Sequence, residues 1–399
     1  MRKIMILGAS ILQLPAIKKA KEMGLSVVVA DMNPQAIGFT VPEIEKEIIS
    51  TIDIPGIVEV AEKHHINGIM TLATDMPMRS VAAVSEKMGL VGINMDTAIK
   101  ATNKVEMRRA LKKYNVPIPE FYKISNREEY YMAVQKFTHP FIVKPADSSG
   151  SRGIYLINNL SDKEEIEKAY IYSREYSKVG DVIIEEYMKG EEVSVETLTV
   201  DGVCHVIQIT DKLTTGAPHF VEMGHSQPTH HSKEIVEKIV EVTKMANKAI
   251  GIKNGPSHTE IMVTDEGPKI VELGARLGGD NINTHLVPLS TGVDMVESCI
   301  KIALGEKPDL RKKYEKAAAI RYFNIDRGTI KSISGIEEAK KIQGIQQIYV
   351  VHGVGDTING INSSGDRAGF VIAQADDVEK AIKICEEANK MIKVEVNDV

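Results

Sequence analysis

The chain has 399 residues, of which 43% are hydrophobic and 26% are charged, and its 49 basic and 55 acidic residues give a net charge of −6. This length exceeds one ordinary core, so two to four packed units are expected, and the composition excludes a disordered chain. The acidic balance excludes a general nucleic-acid binder, which needs a basic face, but it allows a local positive site for phosphates.

The cysteines and the apolar runs bear on where the protein works. Cys204, Cys299 and Cys385 lie far apart without a CxxC pair, which is typical of reduced thiols and gives no support to a zinc knuckle or a disulfide framework. Met1 leads directly into a strand-like segment too short for a signal-peptide core, and no window approaches the roughly 20 apolar residues of a membrane span. We therefore expect a cytoplasmic protein whose partners include neither a membrane nor nucleic acid.

The first 95 residues alternate strand and helix patterns, which predicts a parallel α/β sheet. Apolar runs predict buried strands at 3–7, 26–30 and 68–73. Of a G-x-G-x-x-G dinucleotide fingerprint only Gly8 is present, so an NAD-dependent oxidoreductase is a remote alternative. Asp31, at the end of the second strand, could hold a ribose, but an ordinary strand-end aspartate is the preferred interpretation.

A lysine followed by a Gly/Ser loop marks the next segment. A single helix is predicted over 96–121 and carries Lys104, whereas Lys144 ends the apolar run FIVK. The small residues after it, which let backbone N–H groups approach an anion, are Ser148, Ser149, Gly150, Ser151 and Gly153. Because the lysine precedes the glycines, the loop does not fit Walker A, and a plain surface hairpin is the alternative.

Further along, the stretch VIIEEYMKGEEVSVETL predicts two strands joined by a turn, and the first strand ends in Glu185, Glu186, Tyr187 and Met188. Free backbone groups at a strand end can read an adenine edge while Met188 covers the ring. Glu192, after the turn, can accept ribose hydroxyls. An ordinary acidic hairpin is the alternative interpretation.

A hairpin is predicted over 258–276, where two strands are joined by TDEGP. Glu260 and Glu272 each sit inside an otherwise apolar strand, and pairing of the strands can put both on one face. Two buried carboxylates repel each other unless a cation joins them, and Mg²⁺ prefers such ligands. Arg276 follows directly and could hold a transferring phosphoryl group. Two half-exposed edge glutamates are the alternative.

These residues occur in the order found in the ATP-grasp superfamily, and the whole chain resembles its carboxylate–amine ligases, in particular the dipeptide-forming L-amino-acid ligases. The resemblance implies a mixed α/β and α+β fold in a biotin-carboxylase-like arrangement. Its expected units are a parallel α/β pre-ATP-grasp domain (1–95), an N-terminal ATP-grasp lobe with a lid (96–190), a C-terminal lobe with the metal site (191–305) and a C-terminal α+β domain (306–399).

The resemblance also implies the chemistry: the γ-phosphoryl group of ATP is transferred to a carboxylate, and an amine attacks the acyl phosphate. Both substrates would be small molecules of the amino-acid class, and the assembly a homodimer. The resemblance further implies that Lys104 and Lys144 bind the ATP phosphates and that 148–153 form a closing lid. Glu185 and Tyr187 would contact adenine mainly through their backbone, with Met188 against the ring and Glu192 on the ribose. Glu260 and Glu272 would bind Mg²⁺ or Mn²⁺, and Arg276 would bind the acyl phosphate.

Three positions bear on the subgroup. Many members carry Asn two residues after the second metal glutamate, whereas Gly274 stands there, so a third ligand is lost. The stretch HFVEMGHSQP resembles the substrate loop of the dipeptide-forming ligases, in which Glu222 would hold an ammonium group and His225 a carboxylate or the intermediate. Asp280 replaces a bulky aromatic residue of some ligases, which suggests a different, cationic substrate.

Other readings remain open at this point. Bicarbonate or formate could be the activated acid, as in biotin-carboxylase-type or purine-biosynthesis enzymes, although the Glu222/His225 loop disfavours this. A non-catalytic nucleotide-binding scaffold is disfavoured by the retained lysines and glutamates. Zinc is a rival ligand for the histidines, whose spacing matches no usual pattern and which are His219, His225, His230 and His231.

Overall fold

The computed structural model describes residues 2–148, 152–216 and 220–397. The N-terminal unit comprises β1 (Lys3–Leu7), α1 (Leu14–Glu22), β2 (Ser26–Asp31), β3 (Glu45–Ile48), α2 (Ile54–His64), β4 (Gly68–Thr71) and α3 (Met78–Met88). Its strands pair in parallel in the order β3-β2-β1-β4, which confirms the predicted α/β sheet. The Asp31 carboxylate accepts a hydrogen bond from the Ala9 N–H at 2.7 Å, so it closes the turn after β1.

The second unit comprises α4 (Met95–Thr102), α5 (Lys104–Lys113), β5 (Phe121–Ile124), α6 (Arg127–Val134), β6 (Phe141–Pro145), β7 (Tyr155–Ile157), α7 (Lys163–Glu175) and β8 (Val182–Glu186). Its antiparallel strands take the order β5-β8-β6-β7. Strand β8, with a neighbour on each side, therefore lies in the interior of this sheet.

The single helix predicted over 96–121 is wrong, because Asn103 divides it. Asn103 has extended backbone angles (φ −132°, ψ 116°), and its side chain accepts hydrogen bonds from the N–H groups of Val105 and Glu106. Lys104 is thus the first residue of α5, and its own N–H donates to the Ala146 carbonyl at 2.8 Å. The break fixes Lys104 next to the end of the strand that carries Lys144.

The third unit comprises β9 (Glu191–Val200), β10 (Val203–Thr214), β11 (Glu222–Gln227), α8 (Lys233–Ile250), β12 (Gly255–Thr264), β13 (Gly267–Gly274), α9 (Val287–Thr291) and α10 (Met295–Ala303). The C-terminal segment adds β14 (Ala317–Tyr322), β15 (Gly328–Ser334), α11 (Ile336–Ala339), β16 (Ile345–Val350), β17 (Thr357–Ile358), β18 (Gly369–Ala375), α12 (Val378–Met391) and β19 (Lys393–Asn397).

One antiparallel sheet of eight strands joins these two segments in the order β13-β12-β9-β10-β11-β14-β18-β16. It therefore runs across the domain boundary predicted between 305 and 306. The remaining strands form a small sheet in the order β17-β15-β19. No helix among the described residues is long and apolar enough to cross a membrane.

The N-terminal unit and the eight-stranded sheet share a core. Met5 and Val28 from the parallel sheet belong to the same buried cluster as Val193, Ile261 and Leu273. Burial of such side chains is the main stabilising contribution to folding, so the two units are held in fixed relation.

Candidate active site

The β12–β13 hairpin brings two acidic side chains together. Glu260 lies directly opposite Glu272 in the antiparallel register, and directly opposed residues share one face of a sheet. The register then shifts, since Ile261 faces Ile270 and leaves Val271 as an extra residue in β13. The bulge lies beside the acidic pair and exposes the Val271 carbonyl to a neighbouring helix.

A buried lysine compensates part of this negative charge. Lys212 Nζ lies 2.7 Å from the carboxylates of both Glu192 and Glu260 and 3.7 Å from that of Glu222, and only 4% of its side chain is exposed. Burial alone would lower the pKa of Lys212, but the three carboxylates outweigh it and raise this pKa well above its usual value. The site thus holds one ammonium group among three carboxylates.

Glu260 stays ionised although it is only partly exposed. Burial acts to raise its pKa, but Lys212 and His258 outweigh this and hold the pKa of Glu260 well below its usual range. Ser194, its partner on β9, has a buried hydroxyl that makes no hydrogen bond to any residue the structure describes. An ionised carboxylate beside an unpartnered hydroxyl is a hard-oxygen environment of the kind that Mg²⁺ prefers.

One of the two predicted phosphate lysines, Lys104, contacts this hairpin. Lys104 Nζ donates to the Ser148 carbonyl at 2.6 Å and lies 3.3 Å from the Glu272 carboxylate. Lys144 Nζ donates to Glu185 Oε2 at 2.8 Å, and 10% of the Lys144 side chain is exposed. Lys104 thereby links the loop after β6 to the acidic pair.

Glu185, predicted to read adenine mainly through its backbone, has a side chain that is held inside the protein. It is paired with Phe121 on one side and Ile142 on the other, so its backbone is engaged in the sheet. Its carboxylate binds Arg108 Nε at 2.6 Å as well as Lys144. Burial alone would raise the pKa of Glu185, but these two cations outweigh it and lower the pKa to about 2. The Glu185 side chain is therefore an internal counter-ion that positions Lys144.

The rest of the predicted adenine segment is partly engaged with backbone. The N–H of Tyr187 donates to the Pro140 carbonyl at 3.1 Å, and that of Glu186 to the Glu120 carbonyl at 2.9 Å. Both N–H donors are therefore used within the protein, and a contact between the Tyr187 backbone and adenine stays a prediction. Met188 is buried, with 8% exposed, and stays a predicted contact for the ring.

Part of the predicted lid can be located. Ser149, Gly150 and Ser151 lie outside the described residues. Gly153 has φ +76°, and a Cβ there would lie 2.7 Å from the Tyr176 Cβ. Glycine is thus required at this position both for its backbone angle and for the close approach of α7.

Arg276 is held by an acid from the N-terminal unit. Its guanidinium makes two parallel hydrogen bonds to the Asp75 carboxylate, at 3.0 Å from both Nε and Nη2. Burial alone would lower the pKa of Arg276, but Asp75 and the hairpin glutamates raise it. A Cβ on Gly274 would lie 2.8 Å from Asp75 Oδ1, so the carboxylate fills the space beside this glycine.

The segment predicted as a substrate loop is strand β11 over most of its length. His225 faces Lys212 on β10, and the Glu222 carboxylate lies 3.7 Å from Lys212 Nζ. Two strand residues three apart normally point to opposite faces, but the register shifts between Leu213 and Thr214, which brings both to the Lys212 side.

Asp280 is already neutralised by groups of the protein, which corrects the expectation that it attracts a cationic substrate. Arg367 donates to both of its carboxylate oxygens, at 2.6 and 2.7 Å, and His225 Nε2 lies 3.2 Å away. The Arg367 guanidinium also lies 3.7 Å from the centre of the Tyr322 ring. His225 Nδ1 is buried and has no hydrogen-bond partner within the described part of the chain.

Two spans of the chain match known protein families. The ATP-grasp domain family matches residues 137–284, a span that includes Lys144, the acidic hairpin and Arg276. This span of the chain is therefore similar to the ATP-grasp domain. A second family, L-amino acid ligase C-terminal domain 2, matches residues 321–397 beyond it.

Individual relatives of the ATP-grasp chain agree with this. An L-arginine-specific L-amino acid ligase of Bacillus subtilis is 28% identical over 280 residues, which cover 69% of this chain and 67% of the relative. A phosphoribosylamine–glycine ligase of Methanocaldococcus jannaschii is 29% identical over 423 residues, covering 96% and 91%. The crystal structure of an L-amino acid ligase from Bacillus licheniformis shares the fold, with a TM-score of 0.86, 22% identity and coverage of 100% and 99%. The expected ATP-grasp fold and ligase class are confirmed.

Gly274 of the ATP-grasp domain provides a test of the Asp75–Arg276 pair. We expect Gly274→Asn to displace Asp75, because the new Cβ would lie 2.8 Å from its carboxylate, and to lower kcat about tenfold by leaving Arg276 without its anchor. Steady-state ADP release measures this. Asp75→Asn should reproduce the loss; full activity in both variants would contradict the positioning role of Asp75.

His258 provides a pH-dependent stability test. Burial alone would lower the pKa of His258, but the Glu196 carboxylate, 2.5 Å away, outweighs it and raises the pKa to about 9. Protonated His258 therefore stabilises the fold below pH 6.5, and this contribution is lost as the pH rises toward 9. We expect about 3 kcal/mol of the free energy of unfolding to be lost over this range.

Urea unfolding at pH 6.5 and 9.5 measures the difference. A variant with both His258→Gln and Glu196→Gln is the matched control, since it keeps a hydrogen-bonding pair without the charges. Its free energy of unfolding should change much less with pH. An equal decline in both proteins would show that His258 is not protonated in the folded state.

Sequence reasoning missed the internal partners of the ATP-grasp site. The sequence offered one signal for Lys212, which is a lysine inside a partly apolar strand. Its strand pairs with the acidic strand β9, and only 4% of its side chain is exposed. Asp75 and Arg108 act over separations of 201 and 77 residues, which no local pattern reveals. Arg367 reaches Asp280 from the C-terminal segment in the same way.

Proposed function

We propose that this protein is an ATP-dependent carboxylate–amine ligase that forms an amide bond between amino-acid substrates through an acyl phosphate. One observation carries the proposal: a continuous set of contacts runs from Lys104 through the opposed Glu272 and Glu260 to Lys212 and Glu222. It joins the predicted phosphate, metal and substrate residues on one surface.

The donor set fits a hard divalent cation next to a triphosphate. Glu260 and Glu272 would hold Mg²⁺, with Mn²⁺ as a substitute, since both are carboxylates with no imidazole or thiolate ligand between them. Bound there, the ion would offset the negative charge of the transferring phosphoryl group. Lys104 and Lys144 contribute the remaining positive charge on the phosphate side.

The chemistry follows from the poor reactivity of a carboxylate toward an amine. Phosphorylation of the carboxylate supplies a leaving group, and the amine then displaces phosphate. Arg276, held in orientation by Asp75, donates its remaining N–H groups to the acyl phosphate oxygens. The lid that the resemblance implies for 148–153 would exclude water, which would otherwise hydrolyse the acyl phosphate.

The substrate end is built for an amino acid. The Glu222 carboxylate, shared with Lys212, accepts from an ammonium group, and the unpartnered His225 Nδ1 is available to a carboxylate or to the intermediate. A cavity of about 250 Å³, lined in part by Asp75, Lys104 and Glu272, lies at the phosphate end of the site, where it would give a substrate access to Arg276 and the metal. The names of the amino acid ligase relatives support amino acids as the substrates.

The alternative is a purine-biosynthesis-like or biotin-carboxylase-like enzyme that activates a small acid such as bicarbonate or formate. The phosphoribosylamine–glycine ligase relative, aligned over 96% of this chain, keeps it open. The location of Glu222 and His225 beside Lys212 favours amino acids. We place the enzyme in the cytoplasm. We also propose that it is a homodimer, and analytical ultracentrifugation tests this oligomeric state.

ADP release decides between these activities. The enzyme, ATP and Mg²⁺ are incubated with each single amino acid, with pairs of amino acids, and with bicarbonate or formate, and products are identified by mass spectrometry. We expect ADP and an amide of two amino acids to form in equal amounts. ADP release with bicarbonate or formate alone, or none with any acid, would overturn the proposal.

A further inference from the structure

A second cluster of metal-binding residues lies on the back of the strands that form the active site. Glu191 and Asp211 directly precede Glu192 and Lys212, and successive strand residues point to opposite faces. The segment between β11 and α8 brings His230 and His231 to this opposite face. The cluster is therefore separate from Glu260 and Glu272.

His230 is held in a defined orientation by Asp211. Its Nδ1 lies 2.8 Å from Asp211 Oδ2, which also accepts from the His230 backbone N–H at 2.9 Å. The other ring nitrogen, Nε2, is thereby directed at Glu191 Oε2, 3.1 Å away. A carboxylate behind a histidine is the usual arrangement around a metal-bound imidazole, because it fixes the tautomer and the ring plane.

His231 supplies the second nitrogen. Its Nε2 lies 3.6 Å from the same Glu191 oxygen, and 11% of its side chain is exposed. This nitrogen is buried and makes no hydrogen bond to a described residue. A buried polar atom without a partner is costly, so a ligand that completes it would be stabilising.

The three ligand atoms converge. His230 Nε2, His231 Nε2 and a Glu191 carboxylate oxygen all lie within 4.8 Å of one another. In a tetrahedral site with metal–nitrogen distances of about 2.1 Å, neighbouring ligand atoms lie about 3.4 Å apart. Small rotations of exposed side chains close this difference, since Glu191 and His230 are 65% and 56% exposed.

We propose that Glu191, His230 and His231 bind Zn²⁺, with Asp211 as the carboxylate behind His230. Two imidazole nitrogens and one carboxylate oxygen favour zinc over magnesium, whereas the Glu260/Glu272 pair has the opposite preference. The spacing of the histidines gave no such pattern, because one ligand comes from the start of β9 and His225 belongs to the active site instead.

Metal titration tests the proposal. Metal-free, tag-free protein in excess Mg²⁺ is titrated with Co²⁺, followed by its visible absorption, and then with Zn²⁺ in competition. We expect the wild type to bind one equivalent of metal tightly, and we expect Glu191→Gln and His231→Ala each to lower the affinity for Zn²⁺ at least tenfold. His205→Ala is the matched control, since His205 is an exposed histidine on β10 outside the cluster, and it should bind as the wild type does.

The outcome is independent of the ligase proposal. Glu272→Gln should keep the tight zinc equivalent, because its carboxylate belongs to the other face. Unchanged zinc affinity in Glu191→Gln, or loss of the tight equivalent in Glu272→Gln, would overturn the zinc site. If the protein binds one equivalent of Zn²⁺ tightly but releases no ADP with any amino acid, the zinc site is supported and the ligase proposal is refuted.

Discussion

Replacing Arg276 by alanine is expected to lower kcat for amino-acid-dependent ADP release by about 10²–10³-fold while the protein stays folded. The reason is that the guanidinium acts on charge that develops on the transferring phosphoryl group, so its loss affects the transition state more than substrate binding. Asp75 holds the guanidinium with two hydrogen bonds at 3.0 Å. Steady-state kinetics of ADP release, with circular dichroism for the fold, measures both.

The controls separate charge from position. Arg276→Lys keeps the charge but loses the two-pronged geometry, so we expect an intermediate loss in kcat. Asp75→Asn keeps the guanidinium and loses its anchor. The account requires the order wild type, Asp75→Asn, Arg276→Ala in decreasing kcat. An Arg276→Ala enzyme with wild-type kcat and a raised KM would contradict a role in the phosphoryl step.

Replacing Arg108 by methionine is expected to reduce the free energy of unfolding by about 3 kcal/mol, because the buried Glu185 carboxylate then keeps only Lys144 of its two cationic partners. Arg108 and Glu185 are each 2% exposed in their side chains, and the pair is joined at 2.6 Å. Arg108 also donates to the Val271 carbonyl at 2.7 Å, so the bulge next to Glu272 loses a contact. Urea unfolding at pH 7 measures the loss.

The double variant Arg108→Met with Glu185→Gln is the matched control. Without the carboxylate, Lys144 rather than Glu185 loses its charged partner. Because a buried amine can release its proton, we expect the double variant to regain part of the stability lost in Arg108→Met. In the wild type, the contribution of Glu185 is present above pH 4.5 and is lost as the pH falls toward 2. A double variant less stable than Arg108→Met would show that the pair is not the source of the effect.

Local patterns were sufficient for the strands and for the acidic hairpin. The alternation of apolar and other residues predicts β12 and β13, and the position of Glu260 and Glu272 within them predicts that they meet. Lys144 could be predicted as a functional residue from its place near the end of β6, because a charge at the end of an apolar run has few structural explanations. These features depend only on neighbours in sequence or across a single turn.

The parts that failed depend on distant residues. The break in the helix predicted over 96–121 rests on one capping side chain, Asn103, which competes with helix continuation. The ion pair of Glu185 was not foreseen because Arg108, its partner, lies 77 residues away. Asp280 was assigned to a cationic substrate because Arg367 lies 87 residues away. Ion pairs of this kind are set by the tertiary fold, so a sequence pattern cannot reveal them.

The central claim is that Lys104, Lys144, Glu260 and Glu272 act on one nucleotide–metal unit. A crystal structure with a non-hydrolysable ATP analogue and Mn²⁺, measured at the manganese absorption edge, tests it most directly. We predict an anomalous peak about 2.2 Å from both carboxylates, with the triphosphate against both lysine ammonium groups. A nucleotide bound in a crevice away from the Glu260–Glu272 pair, with no manganese peak between the two carboxylates, would contradict the account.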